Sequence, residues 1–276
     1  MFLSSLRSKL FTKGTQAAGT ARALLISALL GANLATLALL RRPSAALSYV
    51  QYGLFGWRMI ARQGLPQRQF HDLFPTPAQV SVEFLPTTGY LTWWDANYTK
   101  DMLYLALLAK VLAPKTVFEI GTLHGYTGLL FALNTPLETT VYTLDLPPDA
   151  SVAPALSTTV VDNAHIVSHA RATRYLYETH PAGSKVKQLY GDSARFDFSP
   201  YRGEVDLFFV DGAHSYDYVR SDTLQAFSCV HGGGVIAWHD YGRWGVNGVS
   251  RWLHELARSG REIYRLPGSS LAVLKV

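Results

Sequence analysis

VFEIGTLHGYT, Val117 to Thr127, reads as an apolar strand that ends on Glu119 and turns through Gly121 and Gly125 into an apolar helix. Glycine at both positions lets the backbone take positive φ and approach a ligand closely. A helix starting near Tyr126 aims its unpaired N–H groups at whatever sits in the turn. The stretch therefore predicts a nucleoside-binding strand-turn-helix unit. Neither the GxGxxG of dinucleotide turns nor the GxxxxGK[ST] of triphosphate loops is present, and the remaining ExGxxxG suits a ligand without a pyrophosphate.

Upstream, Thr99 to Ala113 has helical periodicity, with Asp101 in its first turn and Pro114 beyond its end. Downstream, strand candidates are Thr116 to Ile120, Thr140 to Leu144, Val186 to Tyr190, Val205 to Val210, Gly234 to Trp238, Glu262 to Leu266 and Leu271 to Val276. Helical stretches at 126–133, 152–179, 216–229 and 246–258 alternate with them. Such alternation predicts a Rossmann-like, doubly wound, mostly parallel sheet of seven strands. Only Pro267 to Ser270 separates the last two strands, too short a link for a helical crossover, so they are expected to form a C-terminal antiparallel hairpin.

Ligands of open α/β sheets sit at the carboxyl ends of the strands, so the polar residues there are read together. Strand one ends in Glu119 and the glycine turn. Strand two ends in Asp145, twenty-four residues after Gly121, near the spacing at which an acid reaches a ribose diol. Strand three ends in Gly191, Asp192 and Ser193, which offer hydrogen bonds to an adenine edge; strand four ends in Asp211 to His214, and strand five in His239 and Asp240. Any one acid could be only a cap or turn residue, whereas five such strand ends converge. Trp93, Trp94, Tyr98, Arg243 and Trp244 are placed to cover the cofactor or contact an acceptor, with aromatic packing and a surface turn as rival readings. His124 reads as a loop residue, and Arg220 with Asp222 as decoration of a helix surface.

Composition bounds the rest. The 276 residues, 48% hydrophobic and 16% charged, suffice for one α/β core with an appendage. The lone cysteine, Cys229, excludes an internal disulfide and reads as core packing. Residues 1–71 hold nine Lys/Arg and no acid, whereas the remainder holds sixteen Lys/Arg against twenty acids. The basic excess flanks an apolar run, Ala23 to Leu40, so an anionic membrane surface is the expected partner and nucleic acid is not. Eighteen helical residues span about 27 Å, close to a hydrocarbon core. A membrane-embedded helix, a buried or interfacial helix and a targeting segment all suit this run. The expected organisation is a basic N-terminus with the apolar helix (1–45), a Pro-containing connector or lid (46–87) and a catalytic domain (88–276).

FEIGTLHGYTG, VDGAHSYDYVRSD and GGGVIAWHDY resemble class I S-adenosylmethionine-dependent methyltransferases of the macrocin O-methyltransferase type, over about residues 88–276. The resemblance implies that Glu119, Gly121 and Gly125 surround the methionine portion of S-adenosylmethionine. It implies Asp145 on the ribose, Asp192 with Ser193 at adenine, and Asp211 against the cofactor. It implies His214 as the catalytic base and Asp211 and Asp240 as ligands of Mg²⁺ or another divalent cation. His239 stands where many relatives place a carboxylate, which as a metal ligand suits softer ions. The expected reaction is O-methylation of a small-molecule, sugar or lipid-linked acceptor, by a membrane-associated chain whose catalytic domain faces the cytosol, with a soluble cytoplasmic or organellar protein as the alternative location; a homo-oligomer is compatible with it. A non-catalytic membrane-tethered nucleoside-binding scaffold and a nicotinamide-dependent oxidoreductase are the alternatives.

Overall fold

The structure, a computed structural model, describes residues 64–84, 96–149, 151–169, 174–243 and 245–276. All of them fall in the compact unit Met59–Val276. The apolar run 23–40, Trp93, Trp94 and Trp244 lie outside the described residues, as does the side chain of Tyr98. Among the described residues no helix is long and apolar enough to cross a membrane.

Helix α1, Ala96–Leu112, starts a turn earlier than periodicity predicts. It stops where Ala113 takes a φ of 43° just before Pro114, whose ring disfavours helical backbone in the residue preceding it. There follow β1 (Thr116–Ile120), α2 (Tyr126–Asn134), β2 (Thr140–Asp145), α3 (Val160–His169), β3 (Val186–Tyr190), β4 (Val205–Val210), α4 (Tyr216–Cys229), β5 (Val230–Trp238), α5 (Asn247–Arg258), β6 (Tyr264–Arg265) and β7 (Ala272–Lys275). The single sheet runs β3-β2-β1-β4-β5-β7-β6. Strands β1 to β5 pair in parallel, and β7 inserts antiparallel between β5 and β6. The expected closing hairpin is present, with β6 only two residues long.

Strands β1 and β4 bury both faces, as parallel strands covered on both sides must. Val117, Leu207 and Phe209 pack with α1 and α2 on one side, through Leu105, Leu108, Leu129 and Phe131. Phe118, Phe208 and Val210 pack with α4 and α5 on the other, through Val219, Ala226 and Leu253. Cys229 is a buried member of that second layer, as composition suggests.

One expectation is corrected here. The long helix expected over 152–179 is broken: residues 151–159, including Pro154, are not helical, α3 covers only Val160–His169, and a 3₁₀ turn at Leu176–Thr179 follows after undescribed residues. Thr159 sets the start of α3, because its hydroxyl accepts the Asp162 N–H at 3.1 Å while the Asp162 carboxylate accepts the Thr159 N–H at 2.5 Å. This reciprocal cap is an acidic version of the capping box. Of the connector, 64–84 are described, and they pack against the body of the sheet. Leu65, Phe70 and Phe74 are buried, Phe70 stacks on Tyr104, and Gln67 bridges in parallel to Arg265 at the edge of β6.

Candidate active site

The turn after β1 is tighter than a ligand alone would require. Gly121 has a φ of 102°, and a Cβ there would lie 2.0 Å from the backbone oxygen of Asp211 on the neighbouring β4 end. Gly125 has a φ of 77°, and a Cβ would press on the Tyr177 ring at 2.7 Å. Both glycines therefore bring protein onto protein first, which fixes the rim on which a ligand would rest.

Above that rim opens a cavity of about 490 Å³ lined by residues from the ends of β1 to β5 and from α3, within the range of small-molecule and cofactor sites. Because β1 lies between β2 and β4, Asp145 and Asp192 stand on one side of the glycine turn and Asp211, His239 and Asp240 on the other. Asp145 accepts the Leu123 N–H at 2.8 Å through Oδ2 and the Leu146 N–H at 2.7 Å through Oδ1. Each carboxylate oxygen has acceptor capacity beyond one such bond. Gly121, Asp192, Ser193, Asp211, His214, His239 and Asp240, all expected from sequence, also line the cavity.

The contacts of three further residues show what holds each of them. Glu119 does not line the cavity; it is fully buried below the turn, with Oε2 accepting the Thr143 hydroxyl at 2.6 Å and Oε1 without a hydrogen-bond partner among the described residues. Burial drives its pKa well above the usual carboxylate value, and Asp211 and Asp145 add to the shift against the Thr143 bond. Asp192 is buried, and its carboxylate accepts Ala155 N–H at 2.7 Å, Ala194 N–H at 3.1 Å and Tyr218 O–H at 2.9 Å, so it fastens the cavity wall. Asp222 is not a surface residue. It is fully buried on the face of α4 that carries Val219, Thr223 and Ala226. Burial pushes its pKa up to about 7, with Asp192 adding and the Ser193 hydroxyl opposing.

The reactive end is a dense set of opposite charges. His214 has Nδ1 at 2.6 Å from Asp162 and Nε2 at 2.7 Å from Asp240, and its backbone N–H donates to the same Asp162 oxygen at 2.9 Å. Burial alone would lower the His214 pKa, but the two carboxylates raise it to about 10. Both ring nitrogens face carboxylates, which favours the protonated imidazole in the metal-free chain, and a cation held at Nε2 would compete with that proton. Burial works against ionisation of Asp162 as well, yet its bond to His214 and the charge there hold its pKa at about 2.

His239 is bracketed too, by Asp101 at 3.2 Å on Nε2 and by Asp211 at 3.1 Å and Asp240 at 3.4 Å on Nδ1. Burial opposes its protonation, while Asp211 and Asp240 raise its pKa well above the ordinary histidine value. Asp240 also receives Arg243 Nε at 2.9 Å, and burial notwithstanding, His239 and His214 hold its pKa well below the carboxylate range. Its φ of 59° is a left-handed conformation unusual for a side-chain-bearing residue, a kind of strain that gathers at functional sites. Gly248 at the start of α5 lets that helix approach the 214–216 backbone, where a Cβ would meet the His214 oxygen at 2.2 Å.

For a cation, the geometry adds His214 to the two acids that sequence suggests. Single donor atoms of Asp211, His214 and Asp240 lie within 4.8 Å of one another, and His239 is not part of this group. Asp162 behind His214 Nδ1 matches the carboxylate that orients a metal-bound imidazole, so the residues fit a divalent ion. Sequence reading missed Asp162 and His165, which hide in a segment taken as one long helix. It also missed Asp101, whose buried carboxylate accepts the Ser270 N–H and hydroxyl, each at 2.7 Å, and pairs with Arg243 at 3.1 Å. His165 lines the cavity with its ring 6.0 Å from that of His214. Arg243 lines the cavity as expected, held by Asp240 and Asp101, and His124 lines it as well.

Residues 118–241 match the sequence profile of a family described as a methyltransferase domain. No curated protein matches the chain. Among solved structures, a Podospora anserina methyltransferase bound to SAH is similar at 17% identity and a TM-score of 0.48, over 71% of this chain and 90% of that one. Cofactor-bound Rv0187 from MTB follows at 18%, with a TM-score of 0.45 over 66% and 81%. The O-methyltransferase TomG from Streptomyces achromogenes, in complex with SAM, gives 19% and a TM-score of 0.41 over 66% and 82%. This chain has a mixed α/β, Rossmann-like fold with a seven-stranded sheet.

Proposed function

We propose that this chain, whose residues 118–241 match a methyltransferase-domain profile, transfers the methyl group of S-adenosylmethionine to a hydroxyl oxygen of a small-molecule, sugar or lipid-linked acceptor. The observation that carries the reading is the cavity shared by Asp145 on one side of the glycine turn and the Asp211, His214 and Asp240 group on the other. Asp145 would hold the ribose of the donor, and the rim at Gly121 would leave its methionine portion on the side of the Asp211, His214 and Asp240 group, where an acceptor could enter. Methyl transfer is an in-line displacement at carbon, so alignment of the acceptor oxygen with the sulfonium methyl is the main contribution of the protein.

As the O–C bond forms and the C–S bond breaks, the acceptor also loses a proton, which would pass to the Asp211 carboxylate or to water at the open rim of the cavity. A divalent cation held by Asp211, His214 and Asp240 would supply Lewis acidity that makes a hydroxyl more acidic near neutral pH. Asp162 fixes the His214 ring, Arg243 and His239 neutralise the carboxylates on the buried side, and Asp211, with 22% of its side chain exposed against 11% for Asp240, is the acid an acceptor reaches first. The macrocin-type subfamily, a membrane location through residues 23–40 and a cytosol-facing domain remain parts of the proposal that rest on the sequence.

Calorimetry with S-adenosylhomocysteine tests the donor site. Saturable binding that Asp145→Ala weakens at least about tenfold is expected from loss of two charge-assisted hydrogen bonds to a diol. Absence of binding in the intact chain, or binding undiminished in Asp145→Ala, would remove the donor assignment.

A further inference from the structure

Helix α3 presents an unusual distribution of side chains. Val160 is 86% exposed and Val167 52%, whereas the acidic Asp162 on the same helix is only 4% exposed and faces the cavity with Ile166 and His165. A buried carboxylate needs partners that compensate its charge, and those of Asp162 come from two places. Through Oδ2 it caps its own helix at Thr159, and through Oδ1 it takes both the backbone N–H and the ring Nδ1 of His214, fifty-two residues away.

The segment from 151 to 166 has a second fastening at its other end, where Ala155 N–H donates to Asp192 at 2.7 Å. Thr158, between these two points, and Pro154, next to Ala155, line the cavity. The wall is thus attached to the end of β3 by one acid and to the turn after β4 by another.

We propose that Asp162 is a positioning residue that joins the wall of the cofactor cavity to the reactive turn, so that the 151–166 segment and His214 are ordered as one unit. The inference rests on the reading of the cavity as a cofactor site, but the coupling itself is a property of the free chain. A single carboxylate serving both elements means that loosening the wall releases His214, and that misplacing His214 frees the wall. Asparagine in place of Asp162 keeps an oxygen that can accept from the His214 N–H groups, whereas alanine keeps none.

Hydrogen exchange in the full chain, read by mass spectrometry on peptides covering 151–166 and 211–216, together with calorimetry of S-adenosylhomocysteine binding, tests this. In Asp162→Ala both peptides are expected to exchange about tenfold faster or more, with cofactor-product affinity about tenfold weaker, the scale of losing hydrogen bonds to a charged group. Asp162→Asn is expected to retain protection of 211–216 within about threefold of the parent, the difference between keeping and losing an acceptor there. Thr159→Ala, which removes only the cap hydroxyl, is expected to speed exchange at 151–166 and leave 211–216 protected. Unchanged protection of 211–216 in Asp162→Ala, equal loss in Asp162→Asn and Asp162→Ala, or unchanged affinity in Asp162→Ala would overturn the proposal. Failure of the parent chain to bind S-adenosylhomocysteine would overturn the functional reading instead, while the exchange pattern still decides whether Asp162 couples the two elements.

Discussion

Gly121 lies so close to the backbone carbonyl of Asp211 that the ends of β1 and β4 meet through a contact only glycine permits. The Gly121 N–H donates to Leu144 at 2.9 Å and the Asp211 N–H to Ile120 at 2.9 Å, so the contact sits within the strand-end hydrogen bonds. Gly121→Ala must move backbone, not a side chain, and adopt a strained φ as well. We expect a loss of about 3 kcal/mol or more of stability, read as a lower urea midpoint with an unchanged slope.

Asp101 predicts a larger effect than its position near the start of a helix suggests. Its fully buried carboxylate serves Ser270, His239 and Arg243 together. Asp101→Ala leaves His239 Nε2, Arg243 Nη2 and the Ser270 donors without their shared partner, while Asp240 still faces both cations, and removal of one member of such a network costs about 3–5 kcal/mol. Thermal unfolding is expected to show a lower Tm, and Asp101→Asn an intermediate one, since the amide still accepts a hydrogen bond.

Asp222 gives the fold a pH dependence of definite sign. Its folded pKa of about 7 lies above the ordinary value of 3.8, so between these limits the folded chain binds more protons than the unfolded one. Its contribution to stability therefore falls as pH rises from about 4 to about 7 and levels off above. Asp222→Asn removes this decline. The gain relative to the parent is expected to grow from near zero at acid pH to at most about 4 kcal/mol at pH 8, since each tenfold change in proton affinity is worth about 1.4 kcal/mol. Urea unfolding across that range measures it, and a constant difference at all pH values would refute the assignment.

The choice of metal-binding histidine is open to a direct experiment. If a divalent ion binds at Asp211, His214 and Asp240, Mn²⁺ titrated into the chain and followed by electron paramagnetic resonance saturates at one site. We expect His214→Gln and Asp211→Asn to weaken it at least about tenfold, the effect of losing a ligand, and His239→Gln to weaken it less. The reverse order of the two histidine variants would restore His239 as the ligand.

How far the sequence could be read depended on the range of the forces involved. Strand β1 and the glycine turn are local, and their apolar run and φ requirements are visible in eleven residues. The convergence of Asp145, Asp211, His214 and Asp240 follows from strand order and was legible for that reason. Asp162, Asp101 and Asp222 were not, because an acid on a helix is normally solvated and nothing local marks the partner that pulls it inside. Asp162 had the further disguise of lying in a run read as one continuous helix, although Pro154 and the Thr159 cap point to the break. The state of His214 was illegible because it depends on two carboxylates from separate elements. No spacing rule encodes that.

The short strand β6 has a consequence for assembly. Gln67 bridges to Arg265, Arg68 N–H donates to the Arg265 carbonyl at 3.3 Å, and Arg265 N–H donates to Pro66 at 3.0 Å, so this outer rim of the sheet already has its bonding partners. An unpaired rim would template another strand, in a second copy or in an aggregate. Residues 66–68 act here as a seal, and a cut just after them would be expected to turn a solubilising feature into an adhesive one.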